Sequence, residues 1–113
     1  MVIAGFAVVS TANVLAGSVY EFLARPSRIS VGVQSDVAIS GGNVFTFQIG
    51  DVVIANAAQV FGAVLATAGR QGPVWPDDFL VQNEPGLAGQ RLILNIVRGT
   101  GNLAWAVIIT EVV

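Results

Sequence analysis

The sequence predicts an all-β protein, a single β-sandwich or jelly-roll-like barrel of about eight short strands. Three observations predict it. Apolar residues alternate with polar ones at a period of two, as side chains leave a pleated strand on opposite faces. The alternating runs recur at regular spacing and are separated by glycine-rich turns. The chain has 113 residues, the length of one domain, with no repeat, low-complexity tail or linker, so residues 1–113 are read as a single domain.

Taken in order, Val2 to Ser10 is rich in Val and Ile and reads as a strand. Ser18 to Ala24, with Val19, Tyr20, Phe22 and Leu23, reads as a second, after a short connection. In Arg28 to Gln34, Ile29, Val31 and Val33 share one face and Arg28, Ser30, Gly32 and Gln34 the other. Ser40-Gly41-Gly42-Asn43 follows, and adjacent glycines accept positive φ without steric cost, so a hairpin turn is expected there. Val44 to Ile49 places Phe45, Phe47 and Ile49 inward; Gly50-Asp51 signals a turn and Asp51 to Ala55 a further strand. For the alanine-rich stretch from Ala57 to Ala68, a short helix competes with a strand over Val60 to Thr67. Gly62 and the all-β context favour the strand.

An irregular segment with two glycines and two prolines runs from Gly69 to Asp78. It is the expected place for function, because functional groups concentrate on loops held by a rigid scaffold. Phe79 to Val81 reads as a short strand and Asn83-Glu84-Pro85-Gly86 as a turn. Arg91 to Arg98 puts Leu92, Leu94 and Ile96 on one face, Gly99-Thr100-Gly101-Asn102 turns the chain, and Leu103 to Val113 closes the hairpin. That last strand is apolar on both faces: Leu103, Trp105, Val107 and Ile109 on one, Ala104, Ala106 and Ile108 on the other. It is therefore expected to be covered twice, by a subunit contact or by a central place in a packed sheet.

Composition narrows the function. Hydrophobic residues make up 54% of the chain and charged residues 11%, against about 25% charged in an average soluble domain. A small monomer has too much surface for so few charges, so much of it is expected to be covered by partners. All five basic residues are arginines (Arg25, Arg28, Arg70, Arg91 and Arg98). Arginine is enriched and lysine depleted at interfaces, because a guanidinium is weakly hydrated and bonds bidentately; a high-GC genome explains the same bias equally well. The net charge is −2, with no adjacent basic residues, so no nucleic-acid partner is expected.

The chain has no cysteine and no histidine. Disulfides are excluded, and the commonest acid–base group and transition-metal ligand is missing. Neither apolar stretch, Met1 to Val9 or Val44 to Gly69, reads as a membrane span: the first is too short and Gln48, Asp51, Asn56 and Gln59 interrupt the second. A cleaved signal peptide ending at Ala16-Gly17 is the lesser alternative for the start.

The search for chemistry returns little. Without histidine or lysine, a serine has only a carboxylate to activate it, and no G-x-S-x-G, G-x-G-x-x-G or Walker pattern occurs. Asp77 and Asp78, with Glu84 and Asn83 nearby, are weighed as ordinary loop residues or arginine partners first, a calcium site second and a glycosidase pair third, because the EF-hand spacing is absent. Trp105 belongs in the core. Trp75, between Pro73 and Pro76, is expected at a subunit contact ahead of a glycan contact, and Tyr20 is the other candidate for stacking on a sugar. No catalytic residue, cofactor or metal is assigned, and the expected protein-contact residues are Arg70, Trp75, Asp77, Asp78 and Phe79, with the N-terminal strand.

The Val/Ala/Gly-rich strands, the run from Ser18 to Val33, the Pro73-Val74-Trp75-Pro76-Asp77-Asp78-Phe79 loop and the expected closing hairpin together cover most of the chain. With these features it resembles the small β-sandwich virion proteins of bacteriophages: jelly-roll-like coat, cement or decoration proteins. That resemblance implies a non-catalytic homo-oligomer, a trimer, bound to other capsid proteins on the exterior of a virion. It carries over no functional residue. A soluble β-sandwich module that binds glycans or a receptor through Trp75 and Tyr20 is the alternative.

Overall fold

The computed structural model describes residues 2–7, 10–35, 43–60, 75, 79–97 and 103–112. Among them seven strands form two antiparallel sheets packed as a β-sandwich: β1 (Val2–Ala7), β2 (Ser27–Ser35), β3 (Val44–Ile49), β4 (Val52–Gln59), β5 (Phe79–Gly86), β6 (Leu92–Val97) and β7 (Leu103–Glu111). One sheet has the order β1-β7-β2-β5 and the other β4-β3-β6. Among the described residues no helix is long and apolar enough to cross a membrane.

The period-two reading places the core. Ile29, Val31 and Val33 of β2 face Phe45, Phe47 and Ile49 of β3, with Leu92, Leu94 and Ile96 of β6 and Leu103, Trp105, Val107 and Ile109 of β7 completing one buried cluster. Burying each such side chain contributes about 1.5–3 kcal/mol. β7 and β2 are the two central strands of their sheet, and on the other face of β7 Ala104 and Ala106 are also buried. On the polar face of β2, Ser30 and Gln34 are buried as well, while Arg28 stays exposed.

Several expectations are corrected. Ser18 to Ala24 is not a strand but a run of turns that meets the residue before β6 in the isolated Phe22–Arg91 bridge. Its polar side chains bond their own backbone: Tyr20 N–H donates to Ser18 Oγ and Gly17 N–H to Glu21 Oε1, which competes with a ladder. β2 and β3, and likewise β6 and β7, lie in different sheets, so neither pair is the hairpin expected; the glycines at 41–42 and 99–101 themselves fall outside the described residues. Gly50-Asp51 does turn a hairpin, between β3 and β4. Asn83-Glu84-Pro85-Gly86 is not a turn but the end of β5, and the reversal comes at residues 87–90, where Gly89 takes φ +86°. β4 and β5 run further than the short strands expected. Val60 lies in the core after the end of β4, and the rest of the strand expected to Thr67 falls outside the described residues.

Residues 10–23 take the place of an eighth strand. Thr11 exchanges both backbone hydrogen bonds with Ile96, Val14 N–H donates to Leu94 O, and Leu92 N–H donates to Glu21 O. Counting this segment second, the sheet orders become 1-8-3-6 and 2-7-4-5, the path of a jelly roll.

Candidate protein interface

Two surfaces carry the residues of interest. The first is the loop singled out from the sequence. Arg70, Asp77 and Asp78 lie outside the described residues. Trp75 is 45% exposed and Phe79 5% exposed, with their rings edge to face at a centroid distance of 5.2 Å. The register sets Phe79 opposite Gly32, where no side chain competes for the space. Phe79 is thus a buried support on which the more exposed ring of Trp75 rests. Asn83 is held in a bulge: its N–H donates to Ser30 Oγ and its carbonyl accepts from Arg28. Glu84 pairs with Ile29.

The second surface was not legible in the sequence. It is the end of the sandwich where residues 17–25, the β3–β4 turn, the β5–β6 turn and the close of β7 meet. Asn13 builds its floor. Its Oδ1 accepts from Leu15 N–H at 3.0 Å and Leu94 N–H at 3.1 Å, and its Nδ2 donates to Leu92 O at 3.2 Å. That carboxamide fastens the N-terminal segment to β6 and drives Leu15 fully into the core. The chain then turns on itself, with Ser18 N–H donating to Leu15 O and Glu21 N–H to Ser18 O. The Glu21 carboxylate ties the loop down: Oε2 accepts from Arg91 Nε at 2.6 Å. The Gly17 N–H and then Arg91 lower its pKa below the ordinary 4.5, against an opposing effect of burial.

With its backbone committed inward, this segment turns apolar side chains outward. Val19 is 83% and Phe22 55% exposed. Of the ten exposed large apolar side chains among the described residues, seven lie at this end: Val2, Val19, Phe22, Val52, Val53, Leu87 and Val112. Between residues 19–25 and the end of β7 opens a groove of about 530 Å³ lined by Tyr20, Phe22, Leu23 and Ile109, with Arg25 and Glu111 also on its wall. Those two charges stand 3.9 Å apart and are both well exposed, an arrangement worth little to stability. Tyr20 lies beside this end, whereas Trp75 packs over the start of β5, so the two aromatic residues that a glycan site would combine are not brought together. Among the described residues no group of three or more carboxylates gathers to hold a metal.

No protein-family model matches the chain, and no curated protein or solved structure is detectably similar to it.

Proposed function

We propose that this chain is a non-catalytic structural protein that works by assembling with other protein subunits, in the manner of a capsid coat, cement or decoration protein on the exterior of a virion. One observation carries the reading: large apolar side chains, Val19, Phe22 and Leu87 among them, stand exposed at one end of a chain with few charges to solvate it. Covering such an end is favourable. An interface of about 1,600 Å², about 60% apolar, gains on the order of 20 kcal/mol at ~25 cal/mol per Å² before the costs of association. The expected product is a symmetric homo-oligomer, a trimer, with Trp75 as a second contact. The jelly-roll path supports this reading only as analogy, because capsid subunits and lectins share it.

Light scattering on the purified protein across a hundredfold range of concentration tests the reading. A mass of several chains is expected, falling to one chain when Phe22 and Leu87 are both replaced by serine. A wild-type protein that stays monomeric throughout overturns it. The groove beside Tyr20 favours a second reading, a glycan- or receptor-binding module, for which a monomer that binds a glycan array is the expected result.

A further inference from the structure

Among the described residues the two sheets present four edge strands, and three of them are obstructed. The free edge of β6 is sealed by residues 10–23, which supply partners to the backbone groups of Leu92, Leu94 and Ile96. β4 is broken by a bulge around Ala57, which takes φ +48°. β5 is broken by a bulge around Asn83, at φ +55°, and carries Pro85, which has no N–H to donate. Each device is a known means of blocking edge-to-edge pairing.

β1 has none of them. Its six residues pair with β7 in unbroken register from Val2↔Ile108 to Ala7↔Leu103. The strand contains no charge, no proline and no bulge. Among the described residues, no backbone group outside the ladder with β7 bonds to it. Val2 and Ala4, on the face turned away from the core, are exposed.

We propose that β1 is the edge on which a second copy of this chain adds, the two β1 strands lying antiparallel about a two-fold axis near Ala4. This inference rests on the assembly reading above and names one of its contacts. The occupant follows from complementarity. An antiparallel edge presents donors and acceptors in an order that a two-fold axis maps onto itself, so each copy satisfies about three outward N–H and three outward C=O groups of the other. An uncharged strand set against itself meets no like-charge repulsion. Ala4 keeps the meeting point small, and the two four-stranded sheets become one of eight strands with both cores on the same side. Where three copies already close through the apolar end, β1 pairing joins two such trimers, and an even number of chains results.

The chain has no cysteine of its own, so Ala4→Cys introduces a single thiol. Under mild oxidation it is expected to give a disulfide-linked dimer at least tenfold faster than a Leu80→Cys control on the obstructed β5 edge, because directly opposed Cα atoms in such a pair lie within disulfide reach. Ala4→Lys places a charge on an exposed position and is expected to halve the assembly mass at a given concentration while the far-ultraviolet circular dichroism stays that of the wild type. An assembly whose mass is unchanged by Ala4→Lys, or an Ala4→Cys protein that links no faster than the control, overturns the β1 contact and leaves the assembly reading standing. A wild-type protein that is monomeric at every concentration removes that reading itself.

Discussion

Ser30 Oγ, on β2, accepts the backbone N–H of Asn83, on β5, at 3.0 Å, and so satisfies a donor that the bulge has pulled out of the ladder. The other sheet solves the same problem in the same way: Thr46 Oγ1, on β3, accepts the N–H of Ala57, on β4, also at 3.0 Å. In both pairs the bulged residue has positive φ and a hydroxyl on the neighbouring strand supplies the missing acceptor. Ser30 is 2% exposed, whereas the Thr46–Ala57 bond is open to solvent. Ser30→Ala leaves the Asn83 N–H without its acceptor in a part-buried place and is therefore expected to cost about 1 kcal/mol. Thr46→Val, where water can substitute, should cost less. Urea denaturation of the two variants checks the order.

Ala57→Gly is expected to stabilise the protein. At φ +48° the alanine Cβ crowds the following carbonyl, at roughly 1–2 kcal/mol, and removing it more than offsets the added freedom of the unfolded chain. Asn83→Gly should change stability by a few tenths of a kcal/mol at most, since asparagine tolerates this conformation. A melting temperature lowered by Ala57→Gly contradicts the account.

Gly86 and Gly5 leave room for neighbours, and both are expected to reject alanine. A Cβ on Gly86 meets Leu23 Cδ1 at 2.5 Å and Ile29 Cδ1 at 2.8 Å; one on Gly5 meets the rigid ring of Trp105 at 2.9 Å. Overpacking of this kind costs about 1–3 kcal/mol. Gly86→Ala should be partly rescued by Leu23→Ala, which removes the nearest atom. Gly5→Ala has no flexible neighbour to yield and should instead shift the tryptophan emission, with thermal unfolding followed by fluorescence as the measurement.

The alternation of β2, β3, β6 and β7 was legible because it is written within six to nine residues each. What the alternation does not contain is the partner of each strand. Val44 to Ile49 pairs with Leu92 to Val97, far along the chain, and no local turn chemistry encodes that choice. The glycines at 41–42 therefore looked like the centre of a hairpin although the flanking strands belong to opposite sheets. Asn83 and Pro85 misled in the complementary direction: turn-forming residues also make a bulge at an edge, and only the partner strand decides which. Trp75, between two prolines, is exposed as that setting suggests, while Phe79, expected beside it as a contact residue, is its buried support. The apolar end is not legible in the sequence because Val19, Phe22, Val52 and Leu87 come from three segments, and the anchoring by Asn13 that turns the first two outward depends on β6.

Asn13 makes a separable prediction. Asn13→Asp keeps the acceptor for Leu15 and Leu94 N–H but replaces the donor to Leu92 O with a charged oxygen facing a carbonyl. Asn13→Ala removes all three bonds and reopens part of the β6 edge. Both are expected to destabilise by about 1–3 kcal/mol. In Asn13→Ala the amide of Leu94 should lose hydrogen-exchange protection more than that of Val44, which lies away from the altered edge. Equal loss at both sites indicates global unfolding and removes the local role.

Glu21 sets an acid dependence whose sign follows from its bonds. The Gly17 N–H at 3.0 Å, then the Arg91 guanidinium at 2.6 Å, favour the ionised carboxylate in the folded chain, so its pKa lies below the ordinary 4.5 it regains on unfolding. Between those two values the unfolded chain binds more protons, and stability falls as pH falls. The contribution is therefore complete above the ordinary value and lost as pH drops through the folded one. Glu21→Gln keeps an acceptor for Gly17 but cannot pair with Arg91, so its urea midpoint should lie below that of the wild type at pH 7. The two midpoints should converge as pH is lowered below 4.5, where the wild-type carboxylate becomes protonated too. A gap that stays constant from pH 7 to pH 3 would show that the loop is held by shape alone and that the charge on Glu21 contributes nothing to fastening it.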